Sequence, residues 1–238
     1  MGTGVDDVVE IGHNEGIVYF VRNNRSTDGT GSGIVGSGIA HVTVNPRRTS
    51  NMVTCTRPDA QWWGADEPWF ADHGAIAAQD GYLYAYCGQT NTFNVWLARV
   101  PMAHPKRLAL YAYWNGTAFS ETRLHNPNAA QAVMVAAQGS IMYSSLYKQY
   151  LYFMPGCPGD SCILLSSSVR PEGPWSQGVA IWGTGDNPRH YPCMRRWCSR
   201  SGARRMGSRL CCGILGLETI CRLSILRLLS QRRVVGGM

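Results

Sequence analysis

Asp80-Gly81-Tyr82-Leu83-Tyr84-Ala85-Tyr86 is the stretch whose reading decides the fold. An Asp-Gly turn opens it, and aromatic side chains then alternate with smaller apolar ones. That period of two, after turn chemistry, marks a β-strand. A second strand, Asn94-Val95-Trp96-Leu97-Ala98-Arg99-Val100, follows a polar gap. The same pair occurs upstream as Glu15-Gly16-Ile17-Val18-Tyr19-Phe20, then Gly36-Ser37-Gly38-Ile39-Ala40-His41-Val42-Thr43-Val44. Downstream it is Gln149-Tyr150-Leu151-Tyr152-Phe153-Met154, then Ser161-Cys162-Ile163-Leu164-Leu165-Ser166-Ser167. Matching Tyr19, Tyr84 and Tyr152 gives a repeat of roughly 65 residues, and a fixed internal period of this kind signals a repeat architecture.

Each copy has room for two further strands. In the second, His73 to Ala78 would precede the hairpin and Tyr111 to Asn115 would follow it. Four antiparallel strands in sequence make one propeller blade. No segment carries a sustained helical period. A β-sandwich would accommodate the strands but not the recurring interval. The expected fold is therefore all-β: an incomplete β-propeller of about three four-stranded blades. Three blades leave open edges, which favour association with something else. The chain is accordingly expected to be a fragment of a longer fold, poorly stable and inactive alone.

Composition divides the chain. It has 238 residues, 45% hydrophobic and 10% aromatic, enough for a buried core. The formal net charge is +7, but residues 189–238 hold 11 of the 22 basic residues, all arginine, and one acid, Glu218. The tail is thus +10 (11 basic less one acidic) and residues 1–188 are −3 (11 basic less 14 acidic). The expected division is a partial propeller over 1–188 and an Arg/Cys-rich, irregular tail over 189–238. A body of net negative charge is not a basic nucleic-acid binder, and no nucleic-acid partner is expected. No apolar run approaches a membrane span, and no membrane partner is expected either. Residues 1–20 lack the basic start and apolar run of a signal peptide.

The quoted strands resemble the secreted fungal and bacterial proteins grouped as domain of unknown function 4185. The matching stretches are Gly36 to Ala40, Cys55-Thr56-Arg57, Trp62-Trp63, Ala65-Asp66-Glu67-Pro68 and Val95 to Pro101. Tyr113-Trp114-Asn115-Gly116, Gly139-Ser140 and Glu172 to Ser176 continue the match, which spans residues 12–182. The family resembles five-bladed furanosidase-like propellers, and some bacterial members are endo-D-arabinanases. The resemblance implies an extracellular, monomeric glycoside-hydrolase-like protein, without a cofactor, acting on a furanoside-containing, arabinan-type polysaccharide. The alternative is a non-catalytic propeller that binds polysaccharide or oligosaccharide. Two departures stand out. The family has an earlier strand-rich segment carrying acids near the axis, and a last blade beyond the point where this match ends.

Glycoside hydrolysis usually needs two carboxyl groups flanking the bond. Inner-strand acids of different blades can converge on a propeller axis. The options are Asp6 and Asp7, Asp66 and Glu67, and Asp72 beside His73; Asp66, Glu67 and Asp72 are the candidates for catalysis. Asp66 and Glu67 are neighbours, so in extended chain they point to opposite faces. His73 could hold a sugar hydroxyl or be a hydrogen-bonded structural residue. Trp62, Trp63 and Trp69 could stack on sugar faces or plug the gaps between blades. Loop and packing roles stand beside each of these readings.

Cys157 and Cys162 bracket Pro158-Gly159-Asp160-Ser161 within one hairpin. In an oxidising compartment they suit a short-loop disulfide worth about 2 kcal/mol. Asn24-Arg25-Ser26 and Asn115-Gly116-Thr117 are glycosylation sequons in turn-like contexts. No P-loop, H-E-x-x-H or G-x-S-x-G motif occurs. The tail admits three readings: a basic interaction tail, a Cys-rich metal site, or out-of-frame translation. Its cysteines fit no standard zinc spacing, and no metal is expected. The segment from Cys193 to Arg204, with each codon's last base read with the next codon's first two, permits His-Ala-Pro-Leu-Val-Phe-Glu-Glu-Trp-Gly-Lys. That is a patterned strand followed by a polar turn, and the out-of-frame reading is preferred for that reason.

Overall fold

The computed structural model describes residues 2–24, 33–50, 52–89, 92–156 and 162–183. The tail over 189–238, Cys157 and Ser26 lie outside the described residues, and with them the tail readings, the Cys157–Cys162 disulfide and part of the first sequon.

Three antiparallel sheets account for the described chain. The first runs β1 (Gly2–Gly12), β2 (Glu15–Asn24), β3 (Gly33–Val44) and β4 (Val53–Thr56), in that spatial order. The second starts with β5 (Trp69–Ala77), β6 (Tyr82–Gly88), β7 (Asn94–Pro101) and β8 (Ala112–Trp114). The third is β11 (Ser140–Ser144), β12 (Gln149–Pro155), β13 (Cys162–Ser168) and β14 (Val179–Gly183). Two 3-10 turns, Leu108–Leu110 and Ala129–Gln131, are the described helical elements. The fold is all-β and propeller-like, with the ring incomplete, as the repeat predicts.

The second sheet departs from four strands. β8 reaches only Ala98 and Arg99 on the edge of β7. The chain turns into β9 (Phe119–Ser120), then returns as β10 (Met134–Val135) to pair with Val95 and Asn94 on the rest of that edge. Short pieces thus divide an edge that a longer fourth strand covers elsewhere. Backbone donors there would otherwise stay unpaired.

The first strands of the three sheets are neighbours: β5 lies against β1 on one side and β11 on the other. The sheets stack face to face behind them, with β6 buried along nearly its whole length. Its Leu83, Ala85 and Cys87 join Ile17, Tyr19 and Ile39 of the first sheet in one apolar cluster. Its Tyr84 and Tyr86 join Ile141, Tyr150, Tyr152 and Met154 of the third sheet in another. The alternation in the quoted stretch therefore separates two buried faces, with aromatic residues toward one neighbour and small or aliphatic ones toward the other.

Room left by the small residues is filled from the connection between β4 and β5. Trp63 is fully buried and packs on Tyr19, Phe70 and Tyr111. Its Nε1–H donates to Tyr113 Oη at 2.9 Å. Its backbone pairs with Ser37 of β3, which ties the connection to the first sheet. Burial pushes the Tyr113 hydroxyl up to about 12, so it remains protonated at neutral pH.

Trp63→Ala should lower stability by about 3–5 kcal/mol, because it opens a cavity between two sheets and orphans the Tyr113 hydroxyl. Val179→Ala, on an exposed position of β14, should change stability by less than about 0.5 kcal/mol. Urea midpoints at constant m-value measure both.

Candidate active site

β5 changes register where the sequence reads Ala71-Asp72-His73-Gly74. Phe70 pairs with Cys87, and the next pair is Ala75 with Ala85. β5 therefore advances five residues while β6 steps two. Ala71 (φ 69°) and Gly74 (φ 104°) both take left-handed backbone. For alanine that conformation costs about 1–2 kcal/mol, which the surrounding ladder must offset. Bulges of this kind re-aim side chains, and this one lies on an innermost strand.

The re-aimed residues are Asp72 and His73. Their side chains are 12% and 8% exposed. Asp72 Oδ1 accepts a hydrogen bond from Gln138 Nε2 at 2.5 Å, bridging to the segment that leads into β11. His73 Nδ1 lies 3.2 Å from Asp72 Oδ2 without the alignment of a hydrogen bond, and it has no hydrogen-bond partner among the described residues. Gly88 makes the arrangement possible. A Cβ at that position would collide with His73 Cε1 and stand 3.3 Å from Asp72 Oδ2. Trp69 pairs directly with Gly88, so its side chain leaves from the same sheet face as the bare Gly88 position. Trp69 is partly buried, and its Nε1–H is a donor without a hydrogen-bond partner among the described residues.

On the other side of β5, Asp7 of β1 reaches across: its Oδ2 accepts from Ala75 N at 2.7 Å and its Oδ1 from Val8 N at 2.7 Å. Burial raises the Asp7 pKa, partly countered by those two backbone donors. The inner strands thus bring Asp72, His73 and Gln138 together, with Asp7 bonded to the same strand from the first sheet.

Asp66 and Glu67 form a separate arrangement. Extended chain would have pointed these neighbours to opposite faces, but the chain turns here and brings their carboxylates to the same side of Gly64, with Asp66 exposed and Glu67 2% exposed. Arg123 clamps Glu67 with Nε to Oε1 at 2.7 Å and Nη2 to Oε2 at 2.5 Å. Glu67 Oε2 also accepts from Gly64 N, while Arg123 Nη2 donates to Trp62 O at 2.6 Å. Such a bidentate pair holds the loop firmly, because removing the half-exposed Arg123 would leave the buried Glu67 carboxylate unpaired. Asp66 Oδ2 lies 2.8 Å from His125 Nδ1, and that contact holds its carboxyl below the ordinary value. Donor atoms of Asp66, Glu67 and His125 all lie within 4.8 Å of one another, but a cation there would have to displace the guanidinium from Glu67. Among the described residues, no hydrogen bond joins these acids to Asp72.

The tryptophans divide between the two roles open to them. Trp62 and Trp63 are buried at 7% and 0% and form T-shaped contacts with Tyr111, so they plug the gap between sheets. Of the two readings that the sequence left open, sugar platform or plug, this burial is that of a plug, since the rings are almost wholly covered. Trp69 is the partly buried one of the three, beside the bulge. Gln138, His125 and Arg123 were not legible as site residues, because each comes from a connection whose path depends on tertiary packing.

No protein-family model matches the chain, and no curated protein matches it. Among solved structures it is similar to a protein of Bacteroides ovatus ATCC 8483 whose name reads "putative hydrolase". The two share 14% identity at a TM-score of 0.59 over 76% of this chain and 45% of that one. That likeness is one of fold. The chain spans less than half the length of this neighbour.

The raised Asp7 pKa has a signed consequence. The native state binds this proton more tightly than the unfolded chain, whose value is the ordinary 3.8. The associated stability is fully present below that value and is lost as pH rises through the folded one. Asp7→Asn removes the loss. The melting temperature of this variant minus that of the parent should therefore increase as pH rises from the ordinary carboxylate range towards neutrality. A difference that stays flat with pH would contradict burial as the cause.

Proposed function

We propose that these sheets belong to a glycoside-hydrolase-like propeller of the domain of unknown function 4185 kind, acting on furanoside-containing, arabinan-type polysaccharide. The observation that carries the reading is the strained bulge on β5, which presents Asp72 and His73 beside Gln138. Strain and orphaned polar atoms concentrate where a site is built for a ligand, not where packing alone is served. The hydrolase name of the structural neighbour is in keeping with it.

In this reading Asp72 is the carboxylate at the scissile bond, oriented by Gln138, with His73 binding a sugar hydroxyl. Trp69, on the same face, supplies an aromatic surface for a sugar ring. The chemistry requires a second carboxyl, and in this reading it comes from another sheet. Asp7 is the inner-strand acid bonded to β5 from the first sheet, and its burial favours the protonated form that a general acid needs. Glu67 acts as a loop clamp and not as a second acid.

Because the chain spans under half of its structural neighbour, turnover is assigned to a completed ring. The test is a version with the preceding genomic sequence restored and the tail read in the alternative frame, assayed for reducing-end release from arabinan. Asp72→Asn should reduce turnover about 10²–10⁴-fold with the melting temperature little changed. Gly88→Ala should cut activity while keeping the far-ultraviolet spectrum, since its methyl group displaces His73. Glycan binding that survives Asp72→Asn, with no turnover by either form, would instead establish the carbohydrate-binding alternative. Neither binding nor release across furanoside polysaccharides would overturn both.

A further inference from the structure

The hairpin joining β8 to β9 carries a feature independent of the glycosidase reading. Its tip is Asn115-Gly116-Thr117-Ala118, closed by Asn115 N donating to Ala118 O at 3.0 Å. Asn115 Oδ1 accepts three hydrogen bonds: from Thr117 N at 3.0 Å, Thr117 Oγ1 at 3.0 Å and Ala118 N at 2.9 Å. Asn115, Thr117 and Ala118 are all exposed. The side-chain oxygen is therefore saturated on the inner side of the turn, while the amide nitrogen, across the carbonyl carbon from it, is left to solvent. Gly116 (φ 103°) supplies the left-handed residue that the turn needs, and a Cβ there would meet Ala130 O.

We propose that Asn115 is an acceptor for an N-linked glycan. Three observations combine. The sequence satisfies the Asn-x-Ser/Thr requirement. The Thr117 hydroxyl is bonded to the acceptor side chain, so the two groups an oligosaccharyltransferase must recognise are presented together. The Asn115 side chain is also exposed at a hairpin turn, while the packed side of that turn is at Gly116, against Ala130 O. The turn is made by bonds between residues at most three apart in sequence, so it forms without the completed ring.

The donor is a lipid-diphosphate-linked oligosaccharide. The Asn115 Nδ2–C1 bond forms to the first sugar as the C1–O bond to the diphosphate breaks. The lipid diphosphate leaves with its electron pair, and one amide proton passes to the transferase base. The chain supplies the acceptor and contributes nothing to the catalytic chemistry.

The experiment expresses the full chain behind a cleavable export leader in yeast, in an Asn24→Gln background that removes the other quoted sequon. The readouts are an endoglycosidase-sensitive shift on a gel and mass spectrometry of the tryptic peptide over residues 108–123. The expected result is a glycan on that peptide, retained in Thr117→Ser and lost in both Thr117→Ala and Asn115→Gln. An unmodified peptide, while a control acceptor protein in the same cells is glycosylated, would overturn the proposal. So would modification that persists in Thr117→Ala.

Discussion

Burial of the second sheet on both faces is the constraint on which the rest depends. A sheet with one wet face needs a single apolar set, whereas this one needs two. Tyr84 and Tyr86 face the third sheet, and Leu83, Ala85 and Cys87 face the first. Neither neighbour can be removed without exposing a large apolar surface. The first strands of the sheets are then drawn side by side, with β5 between β1 and β11. Asp72, His73 and Gln138 meet at the inner strands because the outer strands are stacked this way.

The two interfaces solve the same problem differently. Toward the third sheet, tyrosines of both sheets fill the gap, and buried hydroxyls find carbonyls: Tyr86 Oη donates to Pro171 O and Tyr152 Oη to Ala137 O. Toward the first sheet, short side chains on β6 leave space that Trp62 and Trp63 occupy from a connecting loop. That loop is held by charge, through Arg123 and Glu67, as well as by packing. The pair thus serves placement of the tryptophans, which explains why a buried carboxylate so close to them is held by a guanidinium.

Much of the architecture was legible in the sequence because strand period and turn chemistry are local. The hairpins at Tyr82–Gly88 with Asn94–Pro101 and at Gln149–Pro155 with Cys162–Ser168 lie where alternation and polar gaps put them. The aromatic roles were legible only as a choice: a Trp-Trp pair beside acids reads equally as a sugar platform or a plug, and burial decides it. Asp66, Glu67 and Asp72 looked like one acidic set because sequence distance is small. The bulge and the Arg123 clamp separate them into different networks, and both are products of tertiary pairing. Gln138 carried no signal at all, since its link to Asp72 spans two sheets.

The bulge also separates what can vary from what cannot. Between Phe70–Cys87 and Ala75–Ala85, residues 71 to 74 carry no cross-strand register of their own. The ladder on either side is held by pairs in which Asp72 and His73 take no part. Substitutions at these two positions can therefore be sampled over generations without a matching change on β6. Gly88 is the exception, because its bare face limits how large a neighbour may become. A lineage can therefore change the side chains at this point and keep the scaffold.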